Sequence, residues 1–600
     1  MNKMEAQNEP DVIPTRSSNQ SVVEPTHPAL ESSEFLQPLF SLFNYSTLVS
    51  FRQVSKAWND EACQILKEIS FVHLCGKTEE EIQEVNELLD YATESNLNTP
   101  FKYFFVYVKE NPSEGISYLL THNVALIGLN YHTDGSDVKS DQEANIIFRD
   151  FLQEHGSEIN QIIYVYDKST ENQNEKHLEE NSPLDFHIQL RSLKTFEYWE
   201  RHLNSSEEDV AFLLEILSTA PKLRKFVTNS RHSLIYEGLI LNGTIFEKLV
   251  DLHLIDCSIP TMSLVFNSME KSQLTSLAIQ MWSNTSNRMN STSLQEVLMK
   301  VSGTIEEVSM SCIDLQLEGI LGMPTCPNMI ALLLNDWTGM LTSVTEKMPN
   351  LKKLFISDYG FEMDNLDAFR ILPHYGVEHF GLRGVGLKSR RAVDIYLAYM
   401  DYISLQFPNI KSFALTMDYV VGRLILGVFR SFPQLEHLEL QAFFTSTEPE
   451  VRCEMIEDVF TGFNHYTLGR LENTPELTRV LVGPCILDLN HLKSLVILQN
   501  GLGEMMTENS IKYGISRVST LQEFTFDLNP NITATLLNQH LSHLNKIVIN
   551  MDSKIMEESY DEEVVSNFEE TIADLKMLMP RVQINYKAVD PLDKFDFRNY

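Results

Sequence analysis

The sequence predicts an α/β protein in which a short N-terminal helical module precedes a long stack of helix–strand repeats. Three observations predict this class. A short apolar phrase returns at near-regular steps from residue 69 onwards. Proline stands two residues before the phrase in six of its copies. The segments before these prolines have helical apolar spacing, whereas the phrase alternates apolar and polar positions as a strand does.

The length and net charge of the chain limit the classes of fold and function that it can have. The chain has 600 residues, more than one compact core holds, but a stack of repeats absorbs such a length. Its 47 basic and 83 acidic residues give a net charge of −36. This charge repels phosphate groups, so we expect no binding to nucleic acid or to a membrane surface. It favours basic partners, or simply provides a solvated acidic surface.

The N-terminal tail and the cysteines indicate an intracellular protein. Residues 1–28 are polar, and we predict a disordered tail with no secretory signal. No stretch of 18 apolar residues exists that could span a membrane. The seven cysteines include no C-x-x-C pair, which argues against disulfides and zinc. We therefore expect a cytoplasmic or nuclear location.

Residues 29–68 form the predicted helical module. Apolar residues recur with helical spacing on both sides of a turn signal at 44–46. The apolar positions are Phe35, Leu36, Leu39 and Phe40 before the turn, and Leu48, Phe51, Val54 and Trp58 after it. A module of this size cannot shield its own apolar side chains, so it must lean on the rest of the chain or on a partner. A further helix is predicted over 78–92, where Thr78 and Glu81 form a capping box.

The recurring phrase is apolar-x-x-apolar-x-apolar, and we count eighteen copies between residues 69 and 600. The clear copies begin at Leu193, Leu223, Leu249, Leu274, Ile305, Met329, Leu351, Val377, Ile410, Leu435, Leu477, Leu521 and Leu544. Weaker copies begin at Ile69, Phe101, Val124, Ile159 and Met579. The long steps on either side of Leu477 contain either insertions or a degenerate copy at Leu492.

Proline precedes the phrase more often than 22 prolines in 600 residues would place it there by chance. The six prolines are Pro221, Pro327, Pro349, Pro408, Pro433 and Pro475. Proline ends the preceding helix and begins an extended segment. Each unit is therefore predicted to be a helix, a proline-containing turn and a short strand.

Such a unit cannot bury its apolar face alone, but stacked copies can, with the strands in one parallel sheet. The period and the phrase resemble those of leucine-rich repeats. The resemblance implies a curved solenoid of about eighteen repeats over residues 69–600, with strands on the concave face and helices on the convex face.

The module resembles an F-box. The residues that carry the resemblance are Leu39-Phe-Ser-Leu-Phe43, then Leu48, then Val54-Ser-Lys-Ala-Trp58-Asn. The sequence departs from the family where Glu31 and Ser32 stand in place of the usual Leu-Pro, which shifts or shortens the first helix. An F-box followed by leucine-rich repeats is the layout of F-box/leucine-rich-repeat proteins.

The resemblance implies a substrate-recognition subunit of a cullin–RING ubiquitin ligase, without catalytic residues, cofactor or metal. The F-box would dock the cullin adaptor subunit, and the repeats would bind a protein substrate. The residues expected to contact the adaptor, or to form the core of the module, are Phe35, Leu36, Leu39, Phe40, Leu48, Phe51, Val54 and Trp58. Side chains between the apolar strand positions point away from the core, so the candidates for substrate contact are His253, Lys353, Phe355, His437, Glu439 and Arg479.

Other patterns and functions carry less weight. Gly381–Gly386 lacks the spacing of a dinucleotide-binding loop, and His374 and His379 have no third metal ligand beside them. The acidic run 557–563 is typical of a solvated helix start. Two alternative functions stay open: a repeat scaffold whose first helices only cap the stack, and a small-molecule receptor. The strands lack the concentrated basic residues that a polyanionic cofactor would need.

Overall fold

The computed structural model describes 36, 40, 48, 54, 56–69, 71–73, 103–108, 128–133, 138–166, 188–200, 207–230, 235–236, 247–255, 265–267, 272–280, 291–311, 324–334, 341, 343–358, 371–384, 390–444, 459–461, 484–499, 506–527, 532–552 and 571–589. These residues belong to two compact units. The first comprises residues 1–162 and 184–186, and the second comprises 163–183 and 187–600. The predicted limits 1–28, 29–68 and 69–600 stay predictions.

The first unit combines a helical module with three parallel strands. Leu36, Phe40 and Leu48 are helical, and helix α1 follows at Lys56–Ile69. Strand β1 (Phe71–His73) pairs in parallel with β2 (Tyr103–Val108), and β2 pairs in parallel with β3 (Gly128–Thr133). Helix α2 (Val138–His155) packs on this sheet, because the ring of Phe148 stacks on that of Tyr131 at a centroid distance of 4.4 Å. Strand β4 (Gln161–Tyr166) crosses the limit between the units.

The second unit contains a ladder of strands in chain order, each paired in parallel with the next. The strands are β5 (Thr195–Glu200), β6 (Lys225–Thr228), β7 (Asp251–Ile255), β8 (Ser276–Gln280), β9 (Glu307–Ser311), β10 (Ala331–Leu334), β11 (Lys353–Asp358), β12 (His379–Gly384), β13 (Ser412–Tyr419), β14 (His437–Phe444), β15 (Ser494–Gln499), β16 (Glu523–Asp527), β17 (Lys546–Asp552) and β18 (Gln583–Val589). All-parallel pairing of consecutive strands confirms a repeat architecture.

Helices lie between many of these strands. They are α3 (Glu207–Thr219), α4 (Ser291–Val301), α5 (Val344–Lys347), α6 (Arg390–Gln406), α7 (Gly422–Ser431) and α8 (Ala534–Leu541). Short helical turns cover Ile486–Asp488, Ser510–Gly514 and Ile515–Arg517, and residues 571–578 are helical. Aromatic contacts join the strands to the helix ends: Phe413 of β13 contacts Phe432, the residue that follows α7, at 4.7 Å between ring centroids.

The predicted helix–proline–strand unit is confirmed where the chain is described. Helices α3, α5, α6 and α7 each end two residues before a proline, namely Pro221, Pro349, Pro408 and Pro433. The next strand begins four residues after that proline in each case. The first apolar residue of the phrase closes the turn, as when the Leu351 amide donates to the Met348 carbonyl at 3.1 Å.

Amide side chains next to these prolines join one repeat to the previous one. Asn350 Nδ2 donates to the Pro327 carbonyl at 2.7 Å, and Asn409 Nδ2 donates to the Tyr375 carbonyl at 2.8 Å. Gln434 Nε2 donates to the Pro408 carbonyl at 3.1 Å. Each bond satisfies a turn carbonyl that has no partner in a strand, so the stacking of the turns is held by side chains as well as by the sheet.

The two faces of the ladder differ in burial. Phrase positions four and six are buried on every strand from β5 to β17, as in Phe413 and Leu415 of β13. Because the register pairs equal phrase positions, these side chains form continuous rows, and Phe380 and Phe413 lie 5.7 Å apart between ring centroids. The positions between them point to the opposite face, which we call the outward face; Phe355 and Glu439 are partly exposed there, whereas Val227 and Ala414 are buried.

Four details of the sequence prediction were wrong. Leu48 to Trp58 do not form one helix, because Val54 lies in a turn and α1 begins at Lys56. The weak copies at Val124 and Met579 are two residues out of register, since Leu129 pairs with Phe104 and Ile584 pairs with Ile547.

The copy at Leu477 is not a rung between β14 and β15, because these two strands pair directly with each other. Leu492 precedes β15, so the degenerate copy that begins at Leu492 supplies the next repeat strand. The long interval between the copies at Leu435 and Leu492 therefore contains an insertion. Leu477 itself, Pro475, the predicted helix at 78–92 and the acidic run 557–563 lie outside the described residues.

Candidate partner-binding surfaces

The helical module has a small core of its own. Leu36, Phe40, Leu48, Ala62 and Ile65 are buried together, and Ala57 and Trp58 pack against them. The Phe40 and Trp58 rings meet edge to face with centroids 5.1 Å apart. These F-box phrase residues therefore stabilise the module, a role that the sequence left open for some of them.

Val54 differs from the other phrase residues because 51% of its side chain is exposed. Trp58 is partly buried. The remaining residues predicted to contact the adaptor, Phe35, Leu39 and Phe51, lie outside the described residues.

Four of the residues predicted to contact substrate come together on strands β11–β14 of the outward face. Lateral pairing of the strands arranges these residues in two rows. Row one consists of Lys353, His379, Ser412 and His437. Row two consists of Phe355, Gly381, Ala414 and Glu439. We call these eight residues the outward patch. Lys353, His379 and His437 are exposed.

An aromatic side chain forms the floor of the outward patch. Phe355 and Gly381 are lateral partners, and the Phe355 ring covers the glycine so closely that a Cβ there would overlap ring atoms. Tyr103 covers Gly128 in the same way between β2 and β3. Glycine is thus required at 381 to let the ring lie flat across the next strand. The ring stays partly exposed there.

A chain of hydrogen bonds engages the acidic member of the patch. Gln441 Nε2 donates to Glu439 Oε1, and the hydroxyl of Thr416 donates to Gln441 Oε1 at 3.0 Å. Thr416 and Gln441 are buried, and they hold the Glu439 carboxylate in place from the next row. The Glu439 carboxylate is therefore positioned by the hydrogen bond from Gln441.

His253, the substrate candidate on β7, lies apart from this patch and is engaged locally. Its Nε2 is 2.8 Å from Asp251 Oδ1. Burial works to raise the pKa of Asp251, but the hydrogen bond and charge of His253, with Ser276 and Lys225 nearby, leave that pKa below its ordinary value. Lys225 in turn pairs with Glu197 at 2.9 Å. Lys225 and His253 thus each have an acidic partner on this part of the ladder. Arg479, the sixth candidate, lies outside the described residues.

The turn edge of the ladder carries alternating charges. Lys411 donates to Glu378 at 3.1 Å, and Lys493 donates to Glu436 at 2.6 Å. These hydrogen bonds hold the pKa values of Glu378 and Glu436 below their usual range. The acidic groups beside row one are therefore paired with lysines of the neighbouring turn.

The residues predicted to contact substrate did not include His379 or Arg383. His379 has the same phrase position as Lys353 and His437, and that shared position was the signal that could have found it. Desolvation, followed by the charge of Lys353, holds the pKa of His379 below its usual value. His374, in contrast, is buried, where Nδ1 accepts from the Gly376 amide and Nε2 donates to the Met348 carbonyl at 2.9 Å.

Other kinds of site are absent from the part of the chain that the structure describes. None of its helices has the length and apolar character needed to cross a membrane. No group of three or more His, Cys, Asp or Glu residues there could hold a metal ion. The described cysteines Cys63, Cys326 and Cys485 are free thiols, and burial raises the pKa of Cys326 to about 11.

No protein-family model matches the chain, and no curated protein matches it. Among solved structures, a chain of the Rad7 and Elc1 complex from yeast aligns with 85% of this chain and 90% of its own length, at 12% identity and a TM-score of 0.29. The assignment of a repeat fold rests on the strand register of the protein itself.

Proposed function

We propose that the protein is a non-catalytic substrate-recognition subunit of a cullin–RING ubiquitin ligase. The N-terminal helical module docks the cullin adaptor subunit. The leucine-rich-repeat ladder is a curved solenoid whose concave, outward strand face binds a protein substrate. The finer family assignment comes from the F-box phrase, and the location expected for such a subunit is the cytoplasm or nucleus.

One observation supports the proposal: the described residues of the helical module share a small core, and the module leads directly into the repeat strands. Phe40 and Trp58 belong to the module core, and α1 ends at Ile69, two residues before β1 begins. Val54 remains exposed beside this core. A helical module that presents apolar surface at the head of a repeat array is suited to couple an adaptor to a recognition surface.

The test is co-purification of the full chain with the cullin adaptor. We expect a stable complex, which Val54→Asp weakens at least tenfold because it places a charge on an apolar contact. Ile146→Asp is the matched control: it makes the same change at a side chain of α2 that is 46% exposed, and it should leave binding unchanged. Failure of the wild-type chain to bind the adaptor would overturn the proposal.

Phe40→Ala with Trp58→Ala is less informative by itself, because both rings belong to the module core. If this double variant loses adaptor binding, hydrogen exchange of α1 must also be measured, to distinguish loss of the contact from unfolding of the module. If the double variant still bound the adaptor, the F-box assignment would be wrong.

The alternative function is a repeat scaffold in which the module only covers the first strands. The close junction between α1 and β1 favours this reading, because a stack of repeats needs its exposed end covered. Deletion of residues 1–68 separates the two functions. Aggregation of the shortened chain, together with no adaptor binding by the intact chain, would favour the scaffold.

A further inference from the structure

The turns that lead into β5, β6 and β7 concentrate positive charge on a strongly acidic chain. Residues 191–194, 221–225 and 247–251, all of which the structure describes, contain six basic and two acidic residues. Five of the basic side chains are exposed, and we call them the basic turn edge: Arg191, Lys194, Lys222, Arg224 and Lys248. The sign of the charge is thus reversed here on a chain whose net charge is −36.

The acidic residues on the adjoining strands are engaged by other partners. Glu197 of β5 pairs with Lys225 at 2.9 Å, and Asp251 of β7 pairs with His253 at 2.8 Å. No carboxylate among the described residues forms an ion pair with any side chain of the basic turn edge. These five charges therefore face solvent without a bound acid.

Lys248 shows how one of these charges is positioned. Its Nζ donates to the Pro221 carbonyl of the previous turn at 3.0 Å, so a neutral acceptor orients the ammonium group. Glu247, the other acidic residue of these turns, is exposed. An excess of positive charge remains, because five basic side chains stand against this one carboxylate.

Backbone hydrogen bonds fix the spacing of these charges. The Arg224 amide donates to the Lys194 carbonyl, and the Val250 amide donates to the Arg224 carbonyl, both at 2.8 Å. The three turns are therefore neighbours, about 4.8 Å apart, and together span roughly 10 Å. Like charges at this spacing repel each other, and an anion laid across the turns relieves the repulsion. About three residues of an extended chain cover that distance.

The basic turn edge is bounded on the side of β8 and β9. Residues 272–276, which lead into β8, are uncharged, and the entry to β9 presents exposed Glu306 and Glu307. At physiological ionic strength the Debye length is about 8 Å, so an anion on the edge senses the local basic residues more strongly than distant acids. A long polyanion that continued along the turns would reach Glu306, whereas a protein segment can place its acidic residues beside three turns only.

We infer that the basic turn edge binds a short acidic segment of a partner protein, with its carboxylates beside Lys194, Lys222 and Arg224. Charge complementarity supports this inference, and so does the limited length of the edge. Nucleic acid fits the edge less well, because these turns, which the structure describes in full, include no aromatic side chain on which a base could stack. The inference does not depend on the proposed function, since a repeat scaffold would bind through the same edge.

Fluorescence anisotropy with the full chain tests the inference. The probe is a labelled peptide with about five consecutive Glu residues between flanking Gly and Ser residues, and the comparison peptide has Gln in their place. At a salt concentration of about 0.15 M we expect the Glu peptide to bind about tenfold more tightly than the Gln peptide. The affinity of the Glu peptide should fall as salt is added, because ions screen exposed charges.

Lys194→Glu should weaken binding of the Glu peptide about tenfold, because it reverses one charge of the edge and gives Arg224 an acidic neighbour. Lys352→Glu is the matched control: it makes the same change at the same phrase position before β11, at another exposed side chain, and should alter affinity less than about twofold. Both substitutions should leave the unfolding midpoint unchanged, because the side chains are exposed. Lys194→Glu should also leave adaptor co-purification unchanged, so failure of this inference is distinguishable from failure of the proposed function.

The inference would be overturned by no saturable binding of the Glu peptide up to about 1 mM, or by equal binding of the Gln peptide. Equal effects of Lys194→Glu and Lys352→Glu would place the peptide away from the edge and would also overturn it. Equally tight binding of a single-stranded oligonucleotide of the same charge would show a site for any polyanion. Self-association of the wild type that Lys194→Glu abolishes, measured by sedimentation, would show that a second copy occupies the edge, and either result excludes the proposed occupant.

Discussion

The helical module and the strand ladder bury their apolar side chains in different ways. In the module, Phe40 belongs to one small cluster of five buried residues. In the ladder, Phe413 has lateral neighbours on both sides by register, Phe380 and Leu438, and Phe432 contacts it from the helix side. An apolar side chain in the ladder is therefore packed by residues of neighbouring repeats, whereas one in the module is packed by a single local core.

Removal of a ring from the ladder core should have the largest effect. Phe413→Ala removes contacts with Phe380 and Phe432, and we expect it to lower the unfolding free energy by about 3–5 kcal/mol. Chemical denaturation followed by circular dichroism measures this loss. Leu405→Ala, at a side chain that is 59% exposed, should change stability by less than about 0.5 kcal/mol. Equal losses of unfolding free energy in the two variants would contradict the burial of Phe413.

Removal of a ring from the module core should act locally. Phe40→Ala deletes the edge-to-face contact with Trp58 and should destabilise the module by about 3 kcal/mol. Hydrogen exchange followed by mass spectrometry should show faster exchange across Lys56–Ile69. Exchange in β11–β14 should stay unchanged, because the module core contains no ladder residue. Faster exchange in both places would show that the two regions unfold together.

Lateral coupling between strands gives a sharper test of the ladder. Gly381→Ala places a Cβ into the Phe355 ring and should cost about 1–3 kcal/mol. In a Phe355→Ala background the same change should be neutral or stabilising, because the ring is gone and alanine lowers the entropy of the unfolded chain. A double-mutant cycle of unfolding free energies measures this coupling. Additive effects would show that the two positions are independent.

The smallest effect should come from the turn that joins two repeats. Asn350→Ala deletes the hydrogen bond to the Pro327 carbonyl and should cost about 1 kcal/mol. Asn490→Ala, in an exposed turn position before β15, is the control and should cost less. Denaturation midpoints of the two variants compare them. A smaller loss of unfolding free energy in Asn350→Ala than in Asn490→Ala would show that the Asn350 side-chain hydrogen bond does not stabilise the stacking of repeats.

Much of the repeat unit could be predicted because its causes are local. Proline at Pro349 or Pro408 fixes the end of a helix, and the alternation in Leu354 and Ile356 fixes which side of the strand is buried. The copies at Val124 and Met579 were misplaced by two residues because the prediction used only this local alternation. A shift of two preserves the alternation, so the sequence pattern cannot reject it.

The candidate surface could be predicted only in part. Lys353, Phe355, His437 and Glu439 follow from phrase positions, but their assembly into one patch requires that β11–β14 be consecutive neighbours. The engagement of His253 by Asp251 and the exposure of Val54 also depend on distances across the fold. Local pattern carries no information on such distances.

The sequence by itself determined the helix–turn–strand unit, its buried face and its approximate number of copies, because proline geometry and a period of two act within a few residues. Only the tertiary structure decided that Leu492 and not Leu477 precedes the rung beside β14, that α1 begins after a turn at Val54, and that the Phe355 ring lies across Gly381. Register and lateral contact depend on which segments lie side by side, and packing between distant parts of the chain decides this.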